Sequence, residues 1–559
     1  MFVPHDLDAA RWDLLAPLYG DLLARPLRGV ADLERLLLDR SELDAAASEA
    51  ADELEIAATR RLEESTQADY LAFVEAVQPE CRRVGFELDR RIISCMYAAE
   101  LEPRRYAVLL RDLGADVELF QPDNLPLETE LSRLEQEYQQ VCGAWTVQLG
   151  GEEQTVARAG RLLEETDRDA REDAWRAIHD RRSRDSERLD AIFDRMIHLR
   201  HRVARKAGFR DFRDYQHRRL RRFDYTPADC ERFHDGVAEV VVPLLRRLQR
   251  ERALALGVDV LRPWDLAVDV AGRDPLRPFA NISQLVARTS RVFHRLRPDL
   301  GALFDELRDG DCLDLEARKN KAPGGYHCLR QRTRRPFIFM NAVGVHRDVV
   351  ALVHEAGHAF HAALCKDEPL LHYRKAPMEF SEVASMSMEM LTLPLLDEYY
   401  DVSAAERARR HHLEELVSRL AWVAQVDAFQ HYIYTHPQHT RSERGAAWVR
   451  ISERFGGEVS WKDTGELLPC EWQRQLHVFC APFYYIEYGI AQLGALQLWS
   501  QSQRSRDGAL DNYTRALALG GSRPVPELYA AAGLRFDLGI ETMRSAIGEV
   551  DGALMSAQS

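Results

Sequence analysis

His354-Glu355-Ala356-Gly357-His358 sets two histidines four residues apart inside an apolar run, Val349 to Val353 before them and Ala362 to Leu364 after. On a helix, residues four apart share a face, so both imidazoles can be presented to one point. That is what a zinc ion needs from two of its ligands, and Glu355, one residue along, can reach a zinc-bound water and take its proton. A second helical stretch runs from Glu379 to Leu391, rich in Met, Ala, Leu and Ser, and places Glu382 24 residues after His358. A catalytic zinc keeps three protein ligands and leaves one position for water, and His354, His358 and Glu382 make one of the standard sets. Glu389 falls on the same face seven residues on. It can accept the outer N–H of a ligating histidine and so fix its tautomer.

A third cluster lies at His477, Tyr484, Tyr485 and Tyr488, one histidine and three tyrosines within twelve residues, with a helix expected after Pro482. At helical spacing Tyr485 and Tyr488 share a face, as do Tyr484 and Tyr488. Alone, the segment reads slightly better as an aromatic core stripe. Linked to a zinc site, phenol and imidazole donors would stabilise the oxyanion of a hydrolysed carbonyl. Glu355, His477, Tyr485 and Tyr488 are therefore the catalytic candidates, with Tyr484 as a substrate contact.

Most of the chain that must position these groups is helical. Three- and four-residue apolar spacing marks Val30–Leu38, Glu49–Glu63, Leu127–Tyr138, Asp167–Asp180, Glu187–Ala207, Ala404–Leu420 and Trp422–Tyr434. A short strand with a glycine turn is expected around Val141–Thr155, close to a division into an N-terminal helical lobe (1–150) and a catalytic region (151–559, zinc-binding core about 311–500). Sustained β texture occurs between Asp311 and Val345. Strands are expected at Asp314–Arg318, Tyr326–Leu329 and Pro336–Asn341, the first two separated by Lys319–Gly325. The third leads towards the HEAGH helix. An open edge there would take an extended peptide as an added strand, which makes Phe339 and Asn341 candidates for substrate binding.

Composition narrows the remaining possibilities. Hydrophobic content of 46% and charged content of 30% over 559 residues describe a globular protein. A net charge of −15 argues against nucleic acid or an anionic membrane as partner. The arginines between Arg181 and Arg222 are interleaved with Asp and Glu, as on a salt-bridged helical surface. Nine cysteines without CxxC spacing suit free thiols. With no basic-then-apolar opening and no apolar run long enough to span a bilayer, the cytoplasm is the expected compartment.

Taken together, HEAGHAFH, FSEVASMSME, DLEARKNKAPGGYHC, PFIFMN and HVFCAPFYYIEY resemble the oligoendopeptidase F branch of the thimet oligopeptidase family of zinc metallopeptidases. The resemblance runs from about Leu162 to the C-terminus and is weaker over the first 150 residues. It implies a mostly α fold of two lobes around a deep substrate channel, a small sheet beside the HExxH helix, and endoproteolysis of short peptides. It also implies one zinc held by His354, His358 and Glu382, Glu355 as general base, and His477 with Tyr485 or Tyr488 on the oxyanion or the substrate carbonyl. Thimet-type members carry glycines just after the histidine matching His477, where this chain has Phe479 to Pro482. Two other readings are a zinc exopeptidase on a similar scaffold and a peptide-binding protein without activity. Monomer and homodimer are equally compatible with the sequence.

Overall fold

A computed structural model describes residues 2–62, 64–318, 320–322 and 324–556, and it is mostly helical. Glu63, Lys319 and Pro323, which fall in an expected helix and an expected connecting loop, lie outside the described residues. The chain forms two compact units from non-consecutive stretches: residues 1–119, 276–409 and 491–536 make the first, and 120–275, 410–490 and 537–559 the second.

The first unit contains a long helix, Val30–Arg60, in place of the two expected pieces. Its buried Leu33, Leu36, Leu37 and Leu43 join Leu15, Leu22, Leu88, Ile92 and Leu109 in one apolar core. Leu370 and Tyr373, from the connection between the two helices that carry the histidines and glutamates, pack into the same core. The Tyr373 hydroxyl donates to the Arg105 carbonyl at 2.7 Å. Burial of this kind contributes roughly 25 cal/mol per Å² of apolar surface, and here it fixes that connection.

Among the described residues there are five strands. β1 (Thr146–Leu149) and β2 (Glu152–Thr155) form a hairpin in the second unit. Gly150 and Gly151 both adopt left-handed φ, at 62° and 82°, as a two-residue turn between twisted strands requires. In the first unit β3 (Leu313–Glu316), β4 (Tyr326–Arg330) and β5 (Arg335–Ala342) form a sheet in the order β3-β5-β4. The expected open edge is therefore not on the strand that leads to the HEAGH helix. A tight hairpin lays β4 antiparallel along one side of β5, and β3 runs parallel along the other, which leaves the sheet's edges to β3 and β4.

Candidate active site

β5 delivers the chain to the HEAGH helix, His346–Leu364. Gly344, at φ 94°, makes the turn. One oxygen of Asp348 accepts the N–H groups of Val343, Gly344 and Val345 at 2.8–3.0 Å, satisfying donors that a helix start leaves unpaired. Val349, Leu352, Val353, Ala356 and Phe360 are buried. His354, Glu355 and His358 remain partly exposed.

The partner helix is Met378–Thr392, buried at every position from Glu379 to Thr392. That explains its Met, Ala, Leu and Ser composition, since a helix apolar on all sides belongs inside. Its carboxylates must then have partners. Glu382 Oε2 lies 3.5 Å from His354 Nε2 and 3.7 Å from His358 Nε2, and accepts from the Ser385 hydroxyl at 3.0 Å. Glu389 Oε1 lies 2.7 Å from His354 Nδ1. An ionised carboxylate only accepts, so Nδ1 donates to Glu389 and Nε2 is the nitrogen that faces Glu382.

Around a tetrahedral ion with bonds of ~2.0–2.1 Å, ligand atoms are about 3.3 Å apart. The donor atoms of His354, His358 and Glu382 lie within 4.8 Å of one another, and the Glu382 oxygen stands within a few tenths of an ångström of that separation from each imidazole. The electrostatics agree. Burial opposes protonation of His354, but Glu382 and Glu389 overcome it and raise its pKa well above the ordinary value. Burial lowers His358 to about 4, leaving its lone pair available. Burial, reinforced by Glu382 and Glu389, raises Glu355 to about 7, into the range where a carboxyl can both take and return a proton at neutral pH.

Gly357 explains how the two helices come so close. A Cβ there would meet the Ala384 carbonyl oxygen and the Ser385 Cα at 2.6 Å. The contact is backbone against backbone, next to Glu382, and the sequence alone gave no sign of it. His327 on β4 was also passed over: its ring lies against His358, centroids 5.9 Å apart, and is half-buried. Its signal was only a histidine within a strand.

The candidates on β5 have other partners. Phe339 is completely buried, stacked on Tyr326 with the Lys321 ammonium 4.3 Å from its ring centre. Asn341 donates its amide to the carbonyls of Ala322 and Gly324 at 2.8 and 2.9 Å. Phe339 offers no surface to a peptide, and Asn341 is engaged in holding the loop before β4. Both backbone edges of β5 are paired, with β3 on one side and β4 on the other, and the edge assumption failed here for that reason.

The aromatic cluster belongs to the second unit up to Ile490. The expected helix start after Pro482 is delayed: Leu476–Cys480 is one short turn of helix, and the next begins at Ile486. Phe483 breaks the helix with φ 65°, its N–H donating to Gln430 at 2.7 Å and its carbonyl accepting from Arg222. Tyr484 and Tyr485 thus sit on a turn. The four rings still gather: His477 lies 4.9 Å from Tyr485, 5.7 Å from Tyr484 and 6.0 Å from Tyr488, centre to centre. The Trp422 indole, which can only donate, is 3.1 Å from Gln475 Oε1, so the Gln475 amide nitrogen faces His477 Nδ1 at 2.8 Å. Nδ1 accepts, and a neutral His477 therefore carries its proton on Nε2 as a donor.

A buried helix pair presenting two imidazoles and a carboxylate to one point, beside a small sheet, defines a metallopeptidase class of site. The model of Peptidase family M3 matches residues 161–545, and the chain belongs to that family. Within it the chain falls in the oligoendopeptidase F branch. It is 23% identical over 316 residues to the chromosomal oligoendopeptidase F of Lactococcus lactis subsp. cremoris, covering 55% of this chain and 51% of that one. The matched region spans about half the length of such curated relatives. Among solved structures, PZ peptidase A bound to an inhibitor aligns over 100% of both chains with TM-score 0.92 and 27% identity. A putative oligoendopeptidase F aligns over 99% of this chain and 98% of its own, with TM-score 0.91 and 27% identity. Among the described residues no helix is long and apolar enough to cross a membrane.

Proposed function

We propose that the chain is a zinc-dependent endopeptidase that hydrolyses internal bonds of short oligopeptides. The observation that carries this reading is the convergence of His354 Nε2, His358 Nε2 and Glu382 Oε2, with Glu389 holding the His354 tautomer. His354, His358 and Glu382 would hold the ion, and nitrogen and carboxylate donors in this number suit zinc with one position left for a small ligand. When bound, zinc supplies Lewis acidity, which acidifies water and polarises a carbonyl.

The rest of the chemistry falls to the chain's own residues. Glu355 takes a proton from the attacking water and passes it to the leaving amine, which suits a carboxyl with a pKa of about 7. His477, donating from Nε2, and the Tyr485 and Tyr488 hydroxyls stabilise the oxyanion, each such donor commonly contributing ~3 kcal/mol. Tyr484, on the same turn, contacts the substrate. Relatives named as oligoendopeptidases support an endopeptidase with short peptides as the substrate class.

The experiment uses an internally quenched peptide of about ten residues, blocked at both ends, with metal content measured in parallel. Internal cleavage that chelator abolishes and zinc restores is the expected result. Zinc without cleavage of the blocked peptide would move the assignment to an exopeptidase. A protein that neither binds zinc nor cleaves would overturn the proposal.

A further inference from the structure

The second unit holds a buried cluster that the peptidase reading does not use. Cys230 and His234 are four apart on the helix Pro227–Gly236, and Asp427 and His431 are four apart on the helix Val402–Thr435. Each pair therefore occupies one helix face. The Pro227–Gly236 helix continues directly into a π-turn at Val237–Val241, a distortion often found beside functional groups. His234 Nε2 lies 2.8 Å from Asp427 Oδ2, and His431 Nε2 lies 3.2 Å from the same oxygen. All three residues are buried, Asp427 completely.

Protein satisfies these polar atoms only in part. Among the described residues Asp427 Oδ1 makes no hydrogen bond, and the buried ring nitrogens of His431 make only ion-pair contacts, Nε2 with Asp427 at 3.2 Å and Nδ1 with Glu231 at 3.9 Å. Such orphans are rare in folded proteins and call for an explanation. Among the described residues the ion-pair partners of Asp427 are His234 and His431, and the nearby Arg222 guanidinium is paired with Glu487 at 2.8 Å. Burial lowers the pKa of His234. A buried carboxylate set between two imidazoles is a donor set that a zinc ion accepts.

We propose that His234, Asp427 and His431 form a second zinc-binding site, separate from the HEAGH residues. Their donor atoms lie within 4.8 Å of one another. The observed 2.8 and 3.2 Å separations need to open only slightly to reach the about 3.3 Å of a tetrahedral shell. His217, which neighbours the cluster, is not a ligand. Arg222 can only donate, so its 3.3 Å approach to His217 Nε2 puts the His217 proton on Nδ1. The His431 ring packs on Phe483, centroids 5.5 Å apart, and Gln430, beside His431, holds the Phe483 N–H. An ion here therefore braces the left-handed Phe483 turn that carries Tyr484 and Tyr485.

The test is a calorimetric titration of Zn²⁺ into the full-length H354A/H358A protein after removal of metal by chelator. One equivalent binds with micromolar or tighter affinity, and adding Asp427→Asn, nearly isosteric, weakens it at least tenfold while the circular dichroism spectrum is unchanged. Metal analysis of the wild type, which needs no variant to fold, gives two zinc per chain. One zinc per wild-type chain together with no binding to H354A/H358A overturns the proposal, as does binding indifferent to Asp427→Asn.

Discussion

Replacing Gly357 with alanine tests whether helix spacing sets the metal geometry. The new Cβ would sit 2.6 Å from the Ala384 oxygen and the Ser385 Cα, where ordinary contact begins at 3.4 Å. The three nearest neighbours are backbone atoms, so no side chain can rotate away, and the helix Met378–Thr392 must retreat by about 0.8 Å. Overpacking of this sort costs ~1–3 kcal/mol of stability. Function suffers more. Metal–ligand distances tolerate only about ±0.2 Å, and Glu382 lies on the displaced helix, three residues before Ser385. A shift of about 0.8 Å would remove it from the ligand set while both histidines stay on their own helix. Zinc affinity, measured by competition with a chromophoric chelator, is expected to fall at least as far as the 10–100-fold typical of losing a supporting partner, and peptide cleavage at limiting zinc to fall with it. A melt by circular dichroism separates this from unfolding. If Gly357→Ala bound zinc as tightly as the wild type and melted at the same temperature, the close approach at Gly357 would have no part in shaping the site.

Four further outcomes are expected. Glu355→Gln keeps its zinc, measured by metal analysis, and loses about 10²–10⁴-fold in kcat; undiminished turnover would remove Glu355 from the role of base. Glu389→Gln weakens zinc binding by about 10–100-fold, because the amide still accepts the His354 proton but no longer carries charge. Gln475→Leu removes the hydrogen bond that sets the His477 tautomer and, at ~0.5–1.5 kcal/mol, lowers kcat by about 2–10-fold with KM little changed. The fourth concerns acid stability. Burial disfavours the Asp314 charge, but hydrogen bonds from Arg318 and Lys321 prevail and hold its pKa at about 2, against about 3.9 when unfolded. A lowered folded pKa gives stability that is present above about pH 4 and lost as pH falls towards 2, here about 2 kcal/mol, so Asp314→Asn should flatten that limb of unfolding free energy against pH.

Legibility varied with the range of the interaction. The HEAGH helix, the Glu382 helix and four of the five described strands could be read because apolar periodicity and turn residues are local signals. Val30–Arg60 and Val402–Thr435 were read as broken because charged and polar stretches interrupt their apolar pattern, yet packing along their length keeps each continuous. The edge role given to Pro336–Asn341 failed because strand order depends on which distant segment pairs, and Leu313–Glu316 takes the side that sequence left open. The helical spacing drawn for the tyrosines failed at Phe483, whose left-handed φ is imposed by Gln430 and Arg222, residues 53 and 261 positions away.

The sequence by itself determined the chemistry available: two histidines and a glutamate at helical spacing, a following carboxylate-bearing helix, and a dense set of phenols. Residue type and i, i+4 spacing are properties of one helix and need no partner. Only the tertiary structure decided how those groups meet. The contact at Gly357 set the separation of the two helices, Glu389 selected the tautomer of His354, and the Trp422–Gln475 pair selected that of His477. It also joined His234 to Asp427 and His431 across 193 residues. Distances of a few tenths of an ångström and the placement of single protons arise from packing between helices far apart in the chain, and no local pattern encodes them.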